Sequence, residues 1–398
     1  MSPPLISRNP DLLRLQEDGF EVAIVANHLV IRNVPYVTQT RAVARGTLVS
    51  TLALSGDRTQ RPDTHVAMFA GEIPCDARGK PLTKIINSSS VQSIGGGLVV
   101  NHSFSSKPKV GHYADYYEKM TTYAAILANE AAAIDSEVTP RTRRVVANDD
   151  LESPFVYLDT ASSRAGIGAV SQKLEGDRVA IIGLGGTGSY VLDQVAKTPV
   201  ERIDLYDDDD LLQHNAFRGP GAPSLEELRS RPKKVDYWAA IYSRMHRHVV
   251  PHAVRLGADN LTLLANATMV FLCLDAGEAK AAIIAELERL GLPFIDVGMG
   301  LHLVDDALVG QLRVTTSTPA MRDQIRAKGR IPLVGAGLDD IYARNIQVAD
   351  LNMLNAAFAV LRWKRLRKFY VDLEEEHFSL FTLDGNHLLN EDRPGEAA

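Results

Sequence analysis

The chain has 398 residues, of which 45% are hydrophobic and 23% are charged, and its formal net charge is -6. This composition is typical of a globular protein with two domains, or one large domain with an attachment, and it excludes a largely disordered chain. With 43 basic and 49 acidic residues, the charge gives no reason to propose nucleic acid or an anionic membrane as a partner.

Hydropathy and cysteine content indicate the cellular location and which cysteine-based sites are available. The sequence has neither the apolar stretch of a signal peptide nor the long apolar run of a membrane helix, so we expect a cytoplasmic protein. The two cysteines, Cys75 and Cys273, form no CxxC pair. The sequence therefore predicts neither a cysteine-rich zinc site nor a disulfide framework.

Residues 1–150 predict an accessory domain of the α+β class. We expect a short helix at 11–17 and a helix with apolar residues at helical spacing at 113–134. Between them lie runs rich in Val, Ile, Leu or Thr, which predict strands at 21–34, 45–54, 65–73 and 97–102. A polar connector at 138–154, which contains an acidic run at 148–150, is the expected domain boundary.

Residues 155–398 predict an α/β domain with a doubly wound, mostly parallel sheet, because strands and helices alternate along the chain. The expected strands are 178–182, 201–206, 269–274, 293–297 and 310–314. The expected helices are 188–197, 236–245, 276–291 and 346–368. The last helix is amphipathic, and its basic end is expected to complement the helix dipole.

A glycine-rich turn follows the first strand of this second domain. Gly183, Gly185, Gly186 and Gly188 lie between an apolar strand and a predicted helix. Glycines at such a turn let unpaired N–H groups at the helix start approach a phosphate. The turn predicts a nucleotide site, with NAD binding or simple strand–helix packing as the alternatives.

The residues that follow the second strand separate these alternatives. Asp207 comes after that strand, Asn215 and Arg218 form an N-x-x-R motif, and Lys234 and Asp275 follow in order. Together with the glycine turn, they resemble the superfamily of ThiF, MoeB and the ubiquitin-activating enzymes over roughly residues 159–310. An NAD enzyme is disfavoured, because it would leave the asparagine, the arginine and the lysine without a role.

The resemblance implies an ATP-dependent adenylating enzyme and gives each residue a role. It implies that Asp207 binds the ribose hydroxyls, that Asn215, Arg218 and Lys234 bind the phosphates, and that Asp275 handles Mg²⁺ and faces the reacting carboxylate. Because a carboxylate and the α-phosphate are both anions, this chemistry needs cations and a metal rather than an acid–base pair.

Three further residues take part in the resemblance. Lys233 is the alternative to its neighbour as the phosphate-binding lysine, and Lys280 stands where many relatives have arginine. Arg164 matches an arginine that some dimeric relatives lend to the ATP of the neighbouring subunit. The resemblance thus implies a homodimer as well.

The chain departs from its relatives where they carry a zinc-binding or thioester-forming cysteine. Residues 315–319 are Thr-Thr-Ser-Thr-Pro, and we expect Cys273 to be a buried small side chain. The enzyme is therefore expected to stop at the adenylate or to pass the acyl group directly to a partner. Transfer to a hydroxyl such as Ser317 is the alternative, although no activating base is evident beside it.

The first domain resembles, in plan only, a ubiquitin-conjugating or RWD-like fold without its cysteine, which implies recruitment of a partner. His102 with Ser103 or Ser105 is a candidate active-site pair, and a Ser-rich loop with a capping histidine is the alternative. The favoured substrate is a ubiquitin-like protein ending in glycine, with a conjugating-enzyme-like partner, in a bacterial conjugation or defence system. Adenylation of a small molecule or peptide, and a noncatalytic scaffold that retains ATP, are the alternatives.

Overall fold

The computed structural model describes residues 4–144, 153–157, 159–333 and 346–395. The chain divides into two compact units, Met1–Gln172 and Lys173–Ala398, so that the division lies later than the predicted boundary at 150–155. The predicted acidic run at 148–150 lies outside the described residues. In the part of the chain that the structure describes, no helix combines the length and apolar character needed to cross a bilayer.

The first unit contains a six-stranded antiparallel sheet and a separate two-stranded one. Its strands are β1 (Glu21–Val25), β2 (His28–Val37), β3 (Val43–Thr51), β4 (Leu54–Ser55), β5 (Arg58–Thr59), β6 (Val66–Ala70), β7 (Ile86–Gly95) and β8 (Leu98–Ser105). Its helices are α1 (Pro4–Arg8), α2 (Pro10–Glu17), α3 (Tyr116–Ala132), α4 (Thr160–Ala165) and α5 (Gly168–Ser171). The order β1-β2-β3-β6-β8-β7 makes β7 an edge strand.

Local sequence explains two features of this unit. The predicted run at 21–34 is a hairpin, because Ala26 and Asn27 adopt φ values of 46° and 63° and turn the chain between β1 and β2. Helix α3 begins where the Asp115 side chain accepts a hydrogen bond from the Glu118 amide at 2.8 Å. The apolar side of α3 packs in the same buried cluster as the sheet residues, which confirms the predicted α+β class.

The second unit contains an eight-stranded sheet in the order β11-β10-β9-β12-β13-β14-β15-β16. Its strands are β9 (Arg178–Ile182), β10 (Arg202–Tyr206), β11 (Val249–His252), β12 (Met269–Leu272), β13 (Phe294–Val304), β14 (Ala307–Ser317), β15 (Phe378–Thr382) and β16 (His387–Glu391). Its helices are α6 (Gly186–Val195), α7 (Gln213–Ala216), α8 (Leu225–Ser230), α9 (Lys234–Tyr242), α10 (Glu278–Arg289), α11 (Arg322–Ala327) and α12 (Ala349–Leu366).

Both faces of this sheet are covered, as the apolar strands predict. In β9, Val179 and Ile181 pack on one side with residues of α6, α9 and α12, whereas Ala180 and Ile182 pack on the other side with residues of α10. Strands β11, β10, β9, β12 and β13 are parallel, and β14 to β16 extend the sheet with antiparallel pairs. The predicted doubly wound, mostly parallel α/β fold is confirmed.

Candidate active site

A cavity of about 330 Å³ lies in the second unit at the carboxyl ends of the parallel strands. Ligands of open α/β sheets bind at this edge, where helices leave to opposite faces. Seven of the ten predicted site residues line the cavity: Gly183, Gly185, Gly186, Asp207, Arg218, Lys234 and Asp275. The other three, Gly188, Asn215 and Arg164, are not among its lining residues.

The glycine turn positions the start of α6 against this cavity. Gly183 adopts a φ of 89°, and a Cβ there would lie 2.5 Å from the Cys273 carbonyl oxygen. A Cβ on Gly188 would lie only 1.8 Å from the Gly183 carbonyl oxygen, so this glycine serves the close packing of helix and strand. In contrast, a Cβ on Gly185 would meet no atom within 4 Å. The turn therefore leaves room for a ligand beside the first amides of the helix.

Asp207 is fixed by backbone groups from both sides of the turn. One carboxylate oxygen accepts a hydrogen bond from the Leu184 amide at 2.6 Å, and the other accepts one from the Asp209 amide at 2.9 Å. Burial raises the pKa of Asp207, and the nearby Lys234 ammonium and these amides oppose that rise. The sequence resemblance implies that this carboxylate binds ribose, and its position in the cavity wall suits that role.

The two adjacent lysines lie in different surroundings. The buried Lys234 ammonium is 2.5 Å from the Asp209 carboxylate and 3.7 Å from that of Asp207. Lys233 instead pairs with Asp210 at 2.9 Å, and it does not line the cavity. The structure thus favours Lys234 over Lys233 as the lysine that faces a ligand.

The N-x-x-R motif presents two buried nitrogen atoms without protein partners. Asn215 uses its Oδ1 to accept from the Leu212 amide at 2.8 Å, but its Nδ2 has no hydrogen-bond partner among the described residues. The Nε of Arg218 is likewise buried and unpartnered in that part of the chain, and Arg218 lines the cavity. Buried donors without partners are costly, so the Arg218 nitrogen is suited to a ligand rich in acceptor oxygens, such as a phosphate, whereas Asn215 lies outside the lining of the cavity.

Carboxylates occur on two sides of the cavity. The exposed Asp275 follows β12 and lines one wall. On the other side, the carboxylate oxygens of Asp207, Asp208 and Asp209 lie within 4.8 Å of one another. Oxygen ligands of this type suit Mg²⁺, so both places offer ligands for the predicted metal.

Sequence reasoning missed a buried charge cluster that forms part of the cavity wall. Asp296 of β13 is completely buried and pairs with Lys280 of α10 and, at 2.7 Å, with Arg313 of β14. Lys280 also donates to the Leu274 carbonyl at 3.1 Å, and Arg313 donates to the Thr315 hydroxyl at 2.7 Å. Only Lys280 had been singled out by the motif, whereas the aspartate and the arginine carried no local signal.

Helix α12 also contributes to the site, through a residue that the motif does not contain. The buried Asn352 donates to the Arg218 carbonyl at 3.2 Å and accepts from the Thr187 hydroxyl at 2.9 Å. A Cβ on Gly186 would lie 2.1 Å from its side-chain nitrogen, so Gly186 is needed for this approach of α12 to α6. Asn352 therefore connects the glycine turn with the arginine.

The remaining sequence candidates lie in varied surroundings. Cys273 is half-buried and lines the cavity, rather than being fully buried as predicted, but its burial still raises the pKa of the thiol well above its usual range, which agrees with a neutral, unreactive thiol. Ser317 is 2% exposed, so its hydroxyl is closed off from a large substrate. Arg164 belongs to the first unit and pairs with Asp63 at 3.3 Å. In the same unit His102 contacts Ser89 rather than Ser103 or Ser105.

Comparison with known families agrees with this geometry. Residues 161–337 match the model of the ThiF family, and residues 10–160 match that of a domain of unknown function, DUF6791. The first match confirms the predicted ThiF-type adenylyltransferase domain. The second leaves the RWD-like plan of the first unit as a prediction. No curated protein matches the chain.

Several solved structures are similar to part of the chain. PaaA has 18% identity and a TM-score of 0.44, with 56% of this chain and 75% of that chain covered. E. coli MccB with ATP has 17% identity and a TM-score of 0.42, with coverage of 60% and 70%. E. coli MccB with AMPCPP and MccA has 17% identity and a TM-score of 0.43, with coverage of 59% and 72%. At these values the likenesses carry no argument about substrate.

Proposed function

We propose that this chain, whose residues 161–337 form a ThiF family domain, uses ATP to adenylate the C-terminal carboxylate of a ubiquitin-like protein ending in glycine. The observation that carries the proposal is the cavity that gathers the glycine turn, Asp207, Arg218, Lys234 and Asp275 at one edge of the sheet. These residues come from separate parts of the sequence, and the fold brings them together around a volume of about 330 Å³.

The side chains of this cavity suit a reaction between two anions. Arg218 and Lys234 line the cavity with the glycine turn, and Lys280 and Arg313 also line it, with one buried anion, Asp296, between these two cations. Fixed cations in a partly closed site stabilise charge that develops on phosphate oxygens without reorganising during the reaction. No general base is needed, because the attacking carboxylate is already ionised at neutral pH.

We further propose that Mg²⁺ is required. Asp275 on one wall, or the group of Asp207, Asp208 and Asp209 on the other, offers the hard oxygen ligands that this ion prefers. When bound, the ion would neutralise phosphate charge. Asp275 would then hold the metal and orient the phosphates.

A second cavity supports a flexible chain end as the substrate. It has a volume of about 580 Å³, shares Gly298, Met299, Arg313 and Pro332 with the first cavity, and continues over β13 and β14. Gly300 and Gly310 lie in its floor, and a Cβ on Gly300 would meet no atom within 4 Å. A groove that continues from the first cavity suits an extended chain end whose carboxylate enters that cavity.

We also propose that the chain acts as a homodimer and that it passes the activated partner protein to a conjugating-enzyme-like acceptor in a bacterial pathway. These proposals rest on the sequence resemblance of the second unit to the ubiquitin-activating superfamily and on the RWD-like plan of the first. Adenylation of a peptide or small molecule would use the same cavity, and a noncatalytic ATP-binding scaffold would keep only the glycine turn and Asp207 in use.

ATP–pyrophosphate exchange tests this proposal. Exchange should require Mg²⁺ and should be stimulated by a protein ending in glycine, but not by the same protein without its last residue. Asp275→Ala should abolish exchange, by roughly 100-fold or more, because the site loses a preorganised electrostatic element. Glu278→Ala is the matched control, since this exposed acid lies three residues away outside the cavity and should leave the rate unchanged.

The possible outcomes separate the alternatives. Full exchange by a folded Asp275→Ala protein would contradict the assignment of the site. Stimulation by small carboxylates or free peptides alone would identify the other class of substrate. ATP binding without exchange with any candidate would favour the scaffold. Tight NAD binding that is lost in Asp207→Ala, with no binding of ATP, would contradict the nucleotide assignment.

A further inference from the structure

The first unit carries a serine–histidine pair that the adenylation site does not use. Ser89 of β7 and His102 of β8 are direct cross-strand partners, and the Ser89 hydroxyl lies 2.8 Å from Nδ1 of His102. Ser89 is exposed on the edge strand, whereas His102 is only 9% exposed. The pair thus joins an accessible hydroxyl to a buried imidazole.

The surroundings of His102 keep the ring neutral and oriented. Its register partner on β6 is Phe69, and Phe104 lies two residues along the same strand, so the ring lies on an apolar face of the sheet. Burial lowers the pKa of His102, and a backbone hydrogen bond to Gly71 opposes this. Nδ1 is the ring nitrogen that faces Ser89, and in the tautomer with its proton on Nε2 it can accept the serine proton.

We propose that Ser89 is an acyl-accepting nucleophile and that His102 is its general base. A hydroxyl is a weak nucleophile unless a neighbouring base takes its proton, and the base must itself be oriented by a third group. Here the Ser89 hydroxyl and the His102 ring are the first two elements, and the burial of the ring on the sheet holds its orientation. This arrangement supplies the activated hydroxyl that the second unit lacks at Ser317.

Other hydroxyls on the same two strands are less suited to the role. The Ser103 hydroxyl contacts the Ser88 hydroxyl at 2.8 Å and, among the described residues, bonds to no histidine side chain. Ser105 lies 3.0 Å from Nε2 of His65, but it is less exposed than Ser89 and lies on the strand next to the edge rather than on the edge strand. Ser89 alone among these serines combines exposure on the edge strand with a buried base.

The step rests on the proposed adenylation for its acyl donor. The Oγ of Ser89 attacks the carbonyl carbon of the acyl-adenylate, and an Oγ–carbon bond forms. The bond between that carbon and the phosphate oxygen breaks, and AMP leaves with the electron pair. The serine proton moves to Nδ1 of His102 and from there to water. The product is an ester between Ser89 and the C-terminus of the substrate protein.

A fluorophosphonate probe tests the nucleophile without any need for adenylation. The full-length protein should be labelled at Ser89, as mapped by peptide mass spectrometry, and Ser89→Ala should abolish that labelling. Ser90→Ala, a change at the exposed neighbouring serine, should leave it intact. His102→Gln should slow labelling by roughly 100-fold, the usual contribution of a general base. Absence of labelling, or labelling at Ser103 or Ser105 instead, would overturn the proposal.

A second experiment tests the natural donor. With ATP, Mg²⁺ and a substrate protein that stimulates exchange, the wild-type chain should form an adduct that survives thiols and breaks in hydroxylamine. Ser89→Ala should lose the adduct but keep wild-type ATP–pyrophosphate exchange. Normal exchange with no adduct at Ser89 would overturn the inference and leave adenylation intact. Probe labelling at Ser89 without exchange for any protein would instead support the nucleophile and contradict the proposed adenylation.

Discussion

Replacement of Asp296 by asparagine should strongly destabilise the second unit. Asp296 is 0% exposed and lies between the Lys280 ammonium and the Arg313 guanidinium, whose side chains are 3% and 15% exposed. The substitution keeps the shape of the side chain but leaves two cations at the cavity without their shared anion. Removing one partner of a buried ion pair costs about 3–5 kcal/mol, because an uncompensated charge stays buried.

Urea unfolding followed by tryptophan fluorescence measures this loss in the relevant unit. The chain has two tryptophans, Trp238 and Trp363, and both lie in the core of the second unit. With a slope of about 3 kcal/mol per M urea, suited to a large unit, the midpoint should fall by about 1–1.7 M. Asp323→Asn is the control, because its 92% exposed side chain pairs with Arg326 at 3.6 Å, and such pairs contribute only about 0–1 kcal/mol.

A double variant separates charge from packing. Adding Lys280→Met to Asp296→Asn removes the more deeply buried cation and should restore at least about 1 kcal/mol, because an apolar replacement of a buried charge is often neutral or stabilising. The hypothesis is that Asp296 stabilises the unit by compensating the charges of Lys280 and Arg313. A decrease in the free energy of unfolding below about 1 kcal/mol in the single variant, or a further decrease in the double variant, would refute it.

Three other predictions follow from the site. Gly185→Ala should fold normally, because its added methyl group meets open space, but it should weaken ATP binding in calorimetry. Gly188→Ala should lower the unfolding midpoint, because its methyl group would lie 1.8 Å from a carbonyl oxygen. Arg218→Ala should lower kcat for exchange more than it raises KM for ATP, and the reverse pattern would assign it to ground-state binding. Incubation with ATP and substrate should give no thiol-sensitive adduct, since Cys75 is 1% exposed and burial raises the pKa of Cys273, and a thioester found by mass spectrometry would contradict this.

The glycine turn and its neighbours could be predicted because their signals are local. A strand, a glycine-rich turn and a helix occupy consecutive residues, so the sequence alone placed the strand at 178–182, and Asp207 follows the next strand at once. The order of the later motif residues then identified their common edge of the sheet, since the carboxyl ends of parallel strands lie together. The order of these residues along the chain was therefore sufficient to predict that they share one site.

Residues whose role depends on long-range packing could not be predicted in this way. Asn352 reaches the glycine turn only because α12 packs against α6, and nothing in its own sequence neighbourhood marks it. Asp296 and Arg313 lie on adjacent antiparallel strands, and each reads as an ordinary charged residue until the pairing of β13 with β14 is known. The sequence motif therefore could not predict that these residues contribute to the site.

Strand β7 was not predicted, because its sequence lacks the apolar pattern that identifies a strand. Its sequence around Ser89 is rich in serine, and most of its side chains are exposed, so the usual alternation of buried and exposed residues is missing. Edge strands tolerate this composition, since only one side of the strand is paired and polar side chains discourage aggregation. The same feature that hid β7 from the sequence analysis leaves the Ser89 hydroxyl accessible.

The charges around the cavity indicate why a metal would matter for binding. Arg218, Lys234, Lys280 and Arg313 line it together with Asp207, Asp209 and Asp275, but the last two cations already share the buried Asp296. Lys234 is likewise engaged by Asp209 at 2.5 Å, so a phosphate must compete with this carboxylate for the ammonium. If a phosphate displaces the Asp209 carboxylate from the Lys234 ammonium, Asp209 loses its cation. The carboxylate oxygens of Asp207, Asp208 and Asp209, which lie within 4.8 Å of one another, then repel each other. A divalent cation would offset both that repulsion and the charge of the nucleotide, so the binding of ATP and of Mg²⁺ should be mutually reinforcing.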